Sequence, residues 1–382
     1  MEDLDNREIP DSDAEKDSRG ENERTTPISG TNPQEGYGDP AFGYREEGQS
    51  SSGGYFYGGE AFREKEREEF SSGPGLPSAM KYYFLVFLLL LTLGSLLQGW
   101  NFETGMLVTQ WVIILLPGLW FWKRFRVNRF SFSRLRPLSF RFIPTILLLT
   151  VSFWLLNLLL SSGLMEALIR WGYQPVELLP PPQDFSDYLV YLFLIAVSAG
   201  ICEEVFFRGT IMPALEERGI IPALVFSSLL FAVFHLSFLR LGSTFLLGLV
   251  MGVIVIKTGS LWGGVLYHAF NNFLGVTYLY LANHLEQIDQ VEAVQSQPQA
   301  ELDGIWVGLP LLFLSLAGGI YGFKVLHRQS GTAPLWPPPE GLLPRGWFNR
   351  LFAVSLVLFL IVAFLELAMG FDWWGELAII IL

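Results

Sequence analysis

Nine apolar stretches follow one another through most of this sequence and constrain the fold more than any other feature. At about 1.5 Å of rise per residue, most are long enough to cross a hydrocarbon layer of roughly 30 Å as helices. Of the 382 residues, 51% are hydrophobic and only 16% are charged, which excludes a soluble enzyme, a nucleic-acid-binding protein and a fully disordered chain. We therefore predict an all-α, polytopic membrane protein of about nine transmembrane helices. The stretches are 82–100, 105–122, 143–164, 188–216, 220–239, 242–256, 260–282, 305–326 and 351–370.

Residues 1–80 differ from the rest of the chain. They hold 19 acidic and 8 basic residues and show no hydrophobic periodicity of a helix or a strand. Such a segment buries too little apolar surface to offset its conformational entropy, so we predict a disordered acidic, Gly-rich tail with one short helix at 61–70. A docking arm for an unknown protein partner and a solvated extension both fit this composition. Met80 opens an apolar run and is an alternative start of the protein.

The distribution of Lys and Arg predicts the orientation of the helices, because cytoplasmic loops are enriched in these residues. The loop at 123–141 holds seven basic residues, whereas the loops at 165–187 and 283–304 are mainly acidic. Nine helices and a cytoplasmic N-terminus place nearly every basic cluster inside, with Arg170 and Arg240 as exceptions. We therefore expect a multi-pass protein of the cell membrane with its N-terminus in the cytoplasm.

Ionisable and polar side chains interrupt three of the apolar stretches. Such residues are costly in a membrane, so they usually face a cavity or a partner and mark function. Counted from the predicted cytoplasmic ends of their helices, these side chains lie at similar depths near the middle of the membrane. We predict that they meet in one active site inside the helix bundle. They are Glu203, Glu204 and Arg208 in the fourth stretch, His235 in the fifth, and His268 and Asn272 in the seventh.

The spacing of these residues suggests a role for each. Glu204 and Arg208 are four residues apart, which suits a helical ion pair and leaves Glu203 free as a general base. His268 and Asn272 are also four residues apart, so both can donate hydrogen bonds to one oxyanion. The sixth residue is His235, which would share a water molecule with Glu203 and pass its proton to a leaving amine.

Other interpretations of these residues remain open. Two His and a Glu could instead supply three ligands to a catalytic zinc ion, although there is no H-E-x-x-H helix; no cofactor is favoured, and zinc is possible. A purely structural network of hydrogen bonds between helices is a further alternative.

The lone Cys202 is disfavoured as a nucleophile because Glu203 lies beside it. His284 and His327 fall in or beside loops and are predicted to be surface residues.

Three short motifs resemble those of a known family. EEVFFRG at 203–209 resembles its EExxxR motif, FAVFH at 231–235 its FxxxH motif, and HAFNN at 268–272 its HxxxN/D motif. The family is that of the CAAX protease and bacteriocin-processing (CPBP) intramembrane endopeptidases, described as glutamic-type or metalloprotease-like. The resemblance covers 185–285 and implies that Glu203 and His235 activate water, that His268 and Asn272 stabilise the oxyanion, and that Glu204 and Arg208 support the site.

The resemblance suggests four regions and a function. The regions are a tail at 1–80, N-terminal helices at 81–184, a catalytic core at 185–285 and C-terminal helices at 286–382. The expected activity is hydrolysis of a peptide bond in a membrane-associated protein or peptide, with CAAX-like, bacteriocin-type and sorting-signal substrates all open. The alternatives are a non-catalytic immunity or scaffold protein that binds a peptide, and a transporter or proton relay.

Overall fold

The computed structural model describes residues 74–175, 180–289, 300–331 and 350–372. Every regular element within these ranges is a helix, so the predicted all-α fold is confirmed. The short helix predicted at 61–70 lies outside the described residues, and the predicted tail boundary at residue 80 falls inside the first helix. The helices are α1 (Leu76–Trp100), α2 (Phe102–Arg124), α3 (Phe140–Arg170), α4 (Phe185–Leu215), α5 (Ile220–Phe234), α6 (Phe238–Thr258), α7 (Leu261–Asp289), α8 (Ala300–Ser330) and α9 (Arg350–Gly370).

Each predicted apolar stretch coincides with a helix, but the count of nine membrane spans is not confirmed. In the described part of the chain, seven helices are long and apolar enough to cross a membrane. Of the other two, α5 has only 15 residues, which is about 22 Å and shorter than the hydrocarbon layer. The second, α7, is long, but His268, Asn271 and Asn272 lower the hydropathy of its first half.

The helix α4 lies at the centre of the bundle. Of the most apolar 18 residues in α4, 61% are buried, against 22–44% in the other spans. Among its neighbours are α2 and α7, and a Cβ atom at Gly200 would lie 3.0 Å from the Cβ of Ala269 in α7. Since only a small residue permits this approach, Gly200 brings α7 against the part of α4 that carries the two carboxylates.

Two π-helical turns flank the carboxylates of α4. They cover Leu192–Ser198 and Phe207–Ile211, and between them runs an ordinary α-helical segment, Ala199–Phe206. A third π-helical turn in α2, Thr109–Leu115, packs against this segment. Because π-helical turns are rare in proteins but over-represented at functional sites, three of them around the carboxylates make this region a candidate site.

Two pairs of glycines spaced four residues apart, Gly248 and Gly252 in α6 and Gly318 and Gly322 in α8, lie at helix contacts within the chain. A Cβ atom at either glycine of the α6 pair would meet α5, and one at either glycine of the α8 pair would meet α3. Both pairs therefore serve close helix packing inside one molecule. The contacts are Gly248 with Ser228, Gly252 with Leu224, Gly318 with Ser152, and Gly322 with Leu149.

The loop between α2 and α3 ties together the ends of the central helices. The Arg134 guanidinium donates to both carboxylate oxygens of Glu216, at 2.9 and 2.6 Å, just beyond the end of α4. The backbone carbonyl of Arg134 accepts a hydrogen bond of 2.8 Å from the backbone N–H of Leu261, the first residue of α7. Part of the basic loop is thus used to hold α4 and α7 in register.

The last helix, α9, anchors the turn between α5 and α6. Glu366 is only 8% exposed, and its carboxylate accepts hydrogen bonds from the Ser237 hydroxyl at 2.7 Å and from the Phe238 backbone N–H at 2.6 Å. The turn includes Leu236 in a left-handed conformation, with φ of 52°. Because a left-handed branched residue is strained, these two charge-assisted bonds fix a turn that would otherwise relax.

Candidate active site

A cavity of about 560 Å³ lies among α1–α4, the end of α5, α6 and α7. Four of the six predicted site residues line it: Glu203 from α4, His235 at the end of α5, and His268 and Asn272 from α7. The structure therefore brings side chains from three of the predicted helices to one space. The other two predicted residues, Glu204 and Arg208, lie behind its wall in the protein interior.

Glu204 and Arg208 form the ion pair that their spacing predicts. Arg208 Nη1 lies 2.6 Å from Glu204 Oε1, and the two side chains are 1% and 0% exposed. The second guanidinium nitrogen donates to the carbonyl of Gly248 in α6 at 3.1 Å. A Cβ atom at Gly264 of α7 would lie 2.6 Å from Glu204 Oε2, so the absence of a side chain there leaves room for the carboxylate. The pair thus joins α4, α6 and α7 in the core.

Glu203 projects into the cavity with its two oxygens in different environments. Its Oε1 accepts a hydrogen bond of 2.8 Å from Gln110 Nε2. Its Oε2 is buried, has no hydrogen-bond partner among the described residues, and lies 4.0 Å from Nε2 of His268. One oxygen is therefore held in place while the other is available to a molecule in the cavity.

His268 lies between the two carboxylates. Its Nδ1 is 3.3 Å from Glu204 Oε1, and its Nε2 faces Glu203. A neutral ring that donates its Nδ1 hydrogen to Glu204 presents an unprotonated Nε2, whereas a protonated ring donates from both nitrogens. The ring is 2% exposed. Its contact with Glu204, which is itself paired with Arg208, holds its orientation.

His235 is fixed by the backbone of its own helix. Its Nδ1 lies 2.8 Å from the carbonyl oxygen of Phe231, one turn earlier. A carbonyl only accepts hydrogen bonds, so Nδ1 carries the hydrogen and Nε2 of the neutral ring is a free acceptor. His235 therefore has the tautomer that a general base requires.

Phe231, the aromatic residue of the FAVFH motif, packs against three site residues. Its ring centroid lies 4.7 Å from that of His235 and 5.8 Å from that of His268. The Arg208 guanidinium carbon lies 4.4 Å from the same centroid, a distance typical of a cation–π contact. Phe231 is fully buried, and it holds the two imidazoles and the arginine at fixed separations.

Asn272 has hydrogen-bond partners in the protein that its sequence position does not predict. Its Nδ2 donates to the carbonyl of Ile195 at 2.9 Å, and its Oδ1 accepts from Asn271 Nδ2 at 3.1 Å. One hydrogen of the Asn272 amide is thus already used, and a donor role toward an oxyanion falls to the other. The two asparagines line the cavity side by side.

Gln110 contacts Glu203 directly but is not among the residues predicted from the sequence. Gln110 is 4% exposed, lines the cavity, and has an amide oxygen with no partner among the described residues. Its contact with Glu203 joins positions 93 residues apart. Its position in the middle of an apolar stretch could have pointed to it. Uncharged polar side chains in membrane helices, like the carboxylate of Glu203, usually face a partner or a cavity.

The remaining candidate residues lie away from the cavity. Cys202 is fully buried, has a free thiol and does not line the cavity. His327 is exposed as predicted, whereas His284 is half-buried, with Nδ1 2.9 Å from the Tyr280 carbonyl. Neither histidine lines the cavity.

The donor set does not fit the three-ligand zinc centre considered from the sequence. In the described part of the chain, no group of three or more His, Cys, Asp or Glu side chains is arranged to hold a metal ion. We derive no step through a metal from this arrangement.

A comparison with protein families identifies the central part of the chain. Residues 185–274 match the family model described as type II CAAX prenyl endopeptidase, Rce1-like. The site lies in an Rce1-like segment. The resemblance predicted from the three motifs is confirmed, because the segment runs from the start of α4 into α7 and includes all six predicted site residues. No curated protein and no solved structure matches the chain.

The match to a CAAX prenyl endopeptidase family over residues 185–274 and the seven apolar helices of the described residues together support a multi-pass membrane protein. Endopeptidase activity is supported at the level of this family. The match ends at residue 274, so Glu366 in α9 and Gln110 in α2 lie outside it. The cavity therefore takes Gln110 from a helix that precedes the Rce1-like segment, while Glu366 of α9 holds the turn that follows His235.

Proposed function

We propose that this protein is an intramembrane endopeptidase that hydrolyses a peptide bond of a membrane-associated protein or peptide. The observation that carries this proposal is Glu203 Oε2, a buried carboxylate oxygen that has no partner among the described residues and faces a cavity also lined by His235 and His268. An unpaired buried carboxylate oxygen is unfavourable for stability, so its presence in a cavity indicates a chemical use. We place the N-terminus and the basic loop in the cytoplasm.

In the proposed reaction, water bound between Glu203 Oε2 and His235 Nε2 loses a proton to Glu203 while its oxygen attacks the carbonyl carbon of the scissile bond. The carbonyl oxygen becomes an oxyanion, which His268 and the free amide hydrogen of Asn272 stabilise by donating hydrogen bonds. The proton then passes to the leaving nitrogen as the C–N bond breaks. The products are a carboxylate and an amine.

The ion pair behind the wall supports this reaction without touching the substrate. Arg208 is hydrogen-bonded to the Glu204 carboxylate, and Glu204 in turn faces Nδ1 of His268. A carboxylate on the far side of an imidazole fixes its orientation and stabilises its protonated form. We therefore assign Glu204 and Arg208 as positioning residues and Glu203, His235, His268 and Asn272 as catalytic residues.

The substrate class follows from the family description and the size of the cavity. A type II CAAX prenyl endopeptidase acts on CAAX prenyl proteins, as its description says, and we propose a substrate of this kind, with bacteriocin-type and sorting-signal peptides as alternatives. A cavity of about 560 Å³ is in the range of small-ligand pockets. It therefore accommodates a short stretch of extended chain, consistent with cleavage near a peptide terminus.

The direct test is cleavage by the purified full chain reconstituted in phosphatidylcholine vesicles. The probe is a peptide with a prenylated cysteine followed by three residues, and its control is the same peptide without the prenyl group. Mass spectrometry in ¹⁸O-labelled water should find one labelled oxygen in the new carboxylate. Tight binding of the probe without cleavage would instead favour the peptide-binding scaffold, and transport of it across the vesicle membrane would favour the transporter.

Gln110 provides a second prediction, because its hydrogen bond holds Glu203 Oε1 and thereby directs Oε2 to the water. Replacing Gln110 by leucine removes this bond while keeping a side chain of similar size. We expect kcat to fall by about 10- to 100-fold, since hydrogen bonds to charged groups are among the stronger ones in proteins. KM should change little, because the substrate itself is not contacted through this bond.

The matched control is Ser198→Ala. Ser198 accepts a hydrogen bond of 3.1 Å from Trp111 Nε1, and this bond also joins α4 to α2 but lies away from the cavity. If loss of any contact between these helices lowered kcat, both variants would behave alike. A normal kcat in Gln110→Leu would show that Glu203 does not need this partner.

A further inference from the structure

Arg240 is a charged residue of the cavity that the proposed chemistry does not use. It lies in the first turn of α6, is exposed, and lines the same cavity as Glu203 and His235. Among the described residues that line this cavity, it is the only lysine or arginine. Glu203 and Arg240 therefore supply the formal charges of the cavity wall, one negative and one positive.

The fold gives no reason for a cation at this position. The N-terminal turn of a helix carries partial positive charge, so a cation is disfavoured there, and α6 has no acidic residue in its first turn. The Arg240 guanidinium has no ion pair or hydrogen bond with any residue in the described part of the chain. Arg240 is also one of the two exceptions to the charge pattern that predicts the topology.

The backbone around Arg240 is held firmly. Its N–H donates to the Ser237 hydroxyl at 3.3 Å, and its carbonyl accepts hydrogen bonds from the hydroxyls of Ser243 at 2.9 Å and Thr244 at 2.7 Å. Ser237 is itself bonded to Glu366. The side chain thus projects from a fixed first turn, and a binding group on such an element is more exactly placed than one on a loop.

We infer that Arg240 binds a carboxylate of the peptide substrate. The planar guanidinium can donate two parallel hydrogen bonds to a carboxylate, and this is its best-matched partner in a peptide. The inference rests on the proposed function and adds a specificity to it: peptides with an acidic group at one end of the bound stretch are preferred.

The opposite charges of the cavity also set the direction of the bound peptide. An acidic group near Glu203 would be repelled by the catalytic carboxylate, whereas the same group at Arg240 is attracted. The two charges therefore favour the orientation in which the acidic end lies at α6 and the scissile bond lies between α4 and α7. A neutral or basic peptide would lack this preference.

Two sources of the carboxylate are distinguished by the choice of probes. One pair of prenylated peptides differs only at the C-terminus, as a free acid or an amide, and a second pair differs only by Asp or Asn within the three residues after the cysteine. The expected result is a 10- to 100-fold higher kcat/KM for the acidic member of one pair, expressed mainly in KM. The pair that shows the preference identifies the source.

Variants of Arg240 then test the residue itself, in vesicles of zwitterionic phosphatidylcholine. Arg240→Gln should remove the preference for the acidic probe, Arg240→Lys should retain part of it, and Arg240→Glu should reverse it toward a probe carrying lysine at the same place. The matched control is Arg170→Gln. Arg170 is also an exception to the charge pattern, but it is paired with Glu166 at 2.7 Å and does not line the cavity.

The outcomes separate this inference from the proposed function. Equal cleavage of acidic and neutral probes by the unmodified protein overturns the role of Arg240 and leaves the peptidase intact. An Arg240-dependent response to added phosphatidylglycerol, with no discrimination among peptides, would make Arg240 a lipid contact instead. If no probe is cleaved, the proposed peptidase function is refuted. The role of Arg240 is then tested by the fluorescence anisotropy of the labelled acidic and neutral peptides, and equal affinities for the two overturn the inference.

Discussion

Replacing Glu203 by glutamine is expected to lower kcat for peptide hydrolysis by about 10²- to 10⁴-fold, the range that a general base contributes. The substitution keeps the size of the side chain, and its amide oxygen can still accept the hydrogen bond that Gln110 donates to Glu203. What it removes is the ability of Oε2 to take a proton from water. The rate is measured with the prenylated probe in vesicles, and binding of the probe should persist.

The control for this variant is Glu166→Gln, because Glu166 is an exposed carboxylate of α3 that pairs with Arg170 outside the cavity. Its activity and its thermal unfolding temperature should both match the unmodified protein. A double variant, Glu203→Gln with His235→Ala, should be scarcely slower than Glu203→Gln alone, since the two groups act on one water molecule. Activity of Glu203→Gln within threefold of the unmodified protein would exclude Glu203 as the base.

The residues of the site could be recognised from the sequence because each interrupts an apolar stretch. A carboxylate or imidazole in a membrane helix needs a partner, and helix geometry converts residue number into depth. This was enough to group Glu203, His235 and His268, which share the cavity. The Glu204–Arg208 pair could be predicted from local spacing alone, because the two residues lie one turn apart on the same helix.

Contacts between distant parts of the chain could not be predicted in this way. Depth and periodicity place a residue along its helix but do not fix the rotation of one helix against another. The partner of Glu203 on α2, the carbonyl of Ile195 that binds Asn272, and the anchoring of Ser237 by Glu366 all depend on such rotations. The count of nine spans is not confirmed for a different reason: α5 has only 15 residues, and polar residues that face the cavity lower the hydropathy of α7.

The second large effect is expected from Arg208→Met, which leaves the charge of Glu204 buried without its partner. Glu204 is fully buried, and Arg208 Nη1 lies 2.6 Å from its Oε1. Removing one member of a buried ion pair is typically destabilising by about 3–5 kcal/mol, because the remaining charge is uncompensated. We expect a markedly lower thermal unfolding temperature in detergent, a smaller monodisperse fraction on size-exclusion chromatography, and no measurable peptidase activity.

A double variant separates stability from catalysis at this pair. Glu204→Gln combined with Arg208→Met removes both charges, and neutral replacements of a buried pair are often as stable as the pair itself. The unfolding temperature should therefore recover most of its loss. Activity should remain at least about tenfold below that of the unmodified protein. Nδ1 of His268 lies 3.3 Å from Glu204 Oε1, so in the double variant it faces a neutral amide, which does not stabilise a protonated imidazole. If activity recovers fully together with stability, the pair only holds α4, α6 and α7 together. If a stable double variant stays inactive, Glu204 is needed to orient His268 and to stabilise its charge.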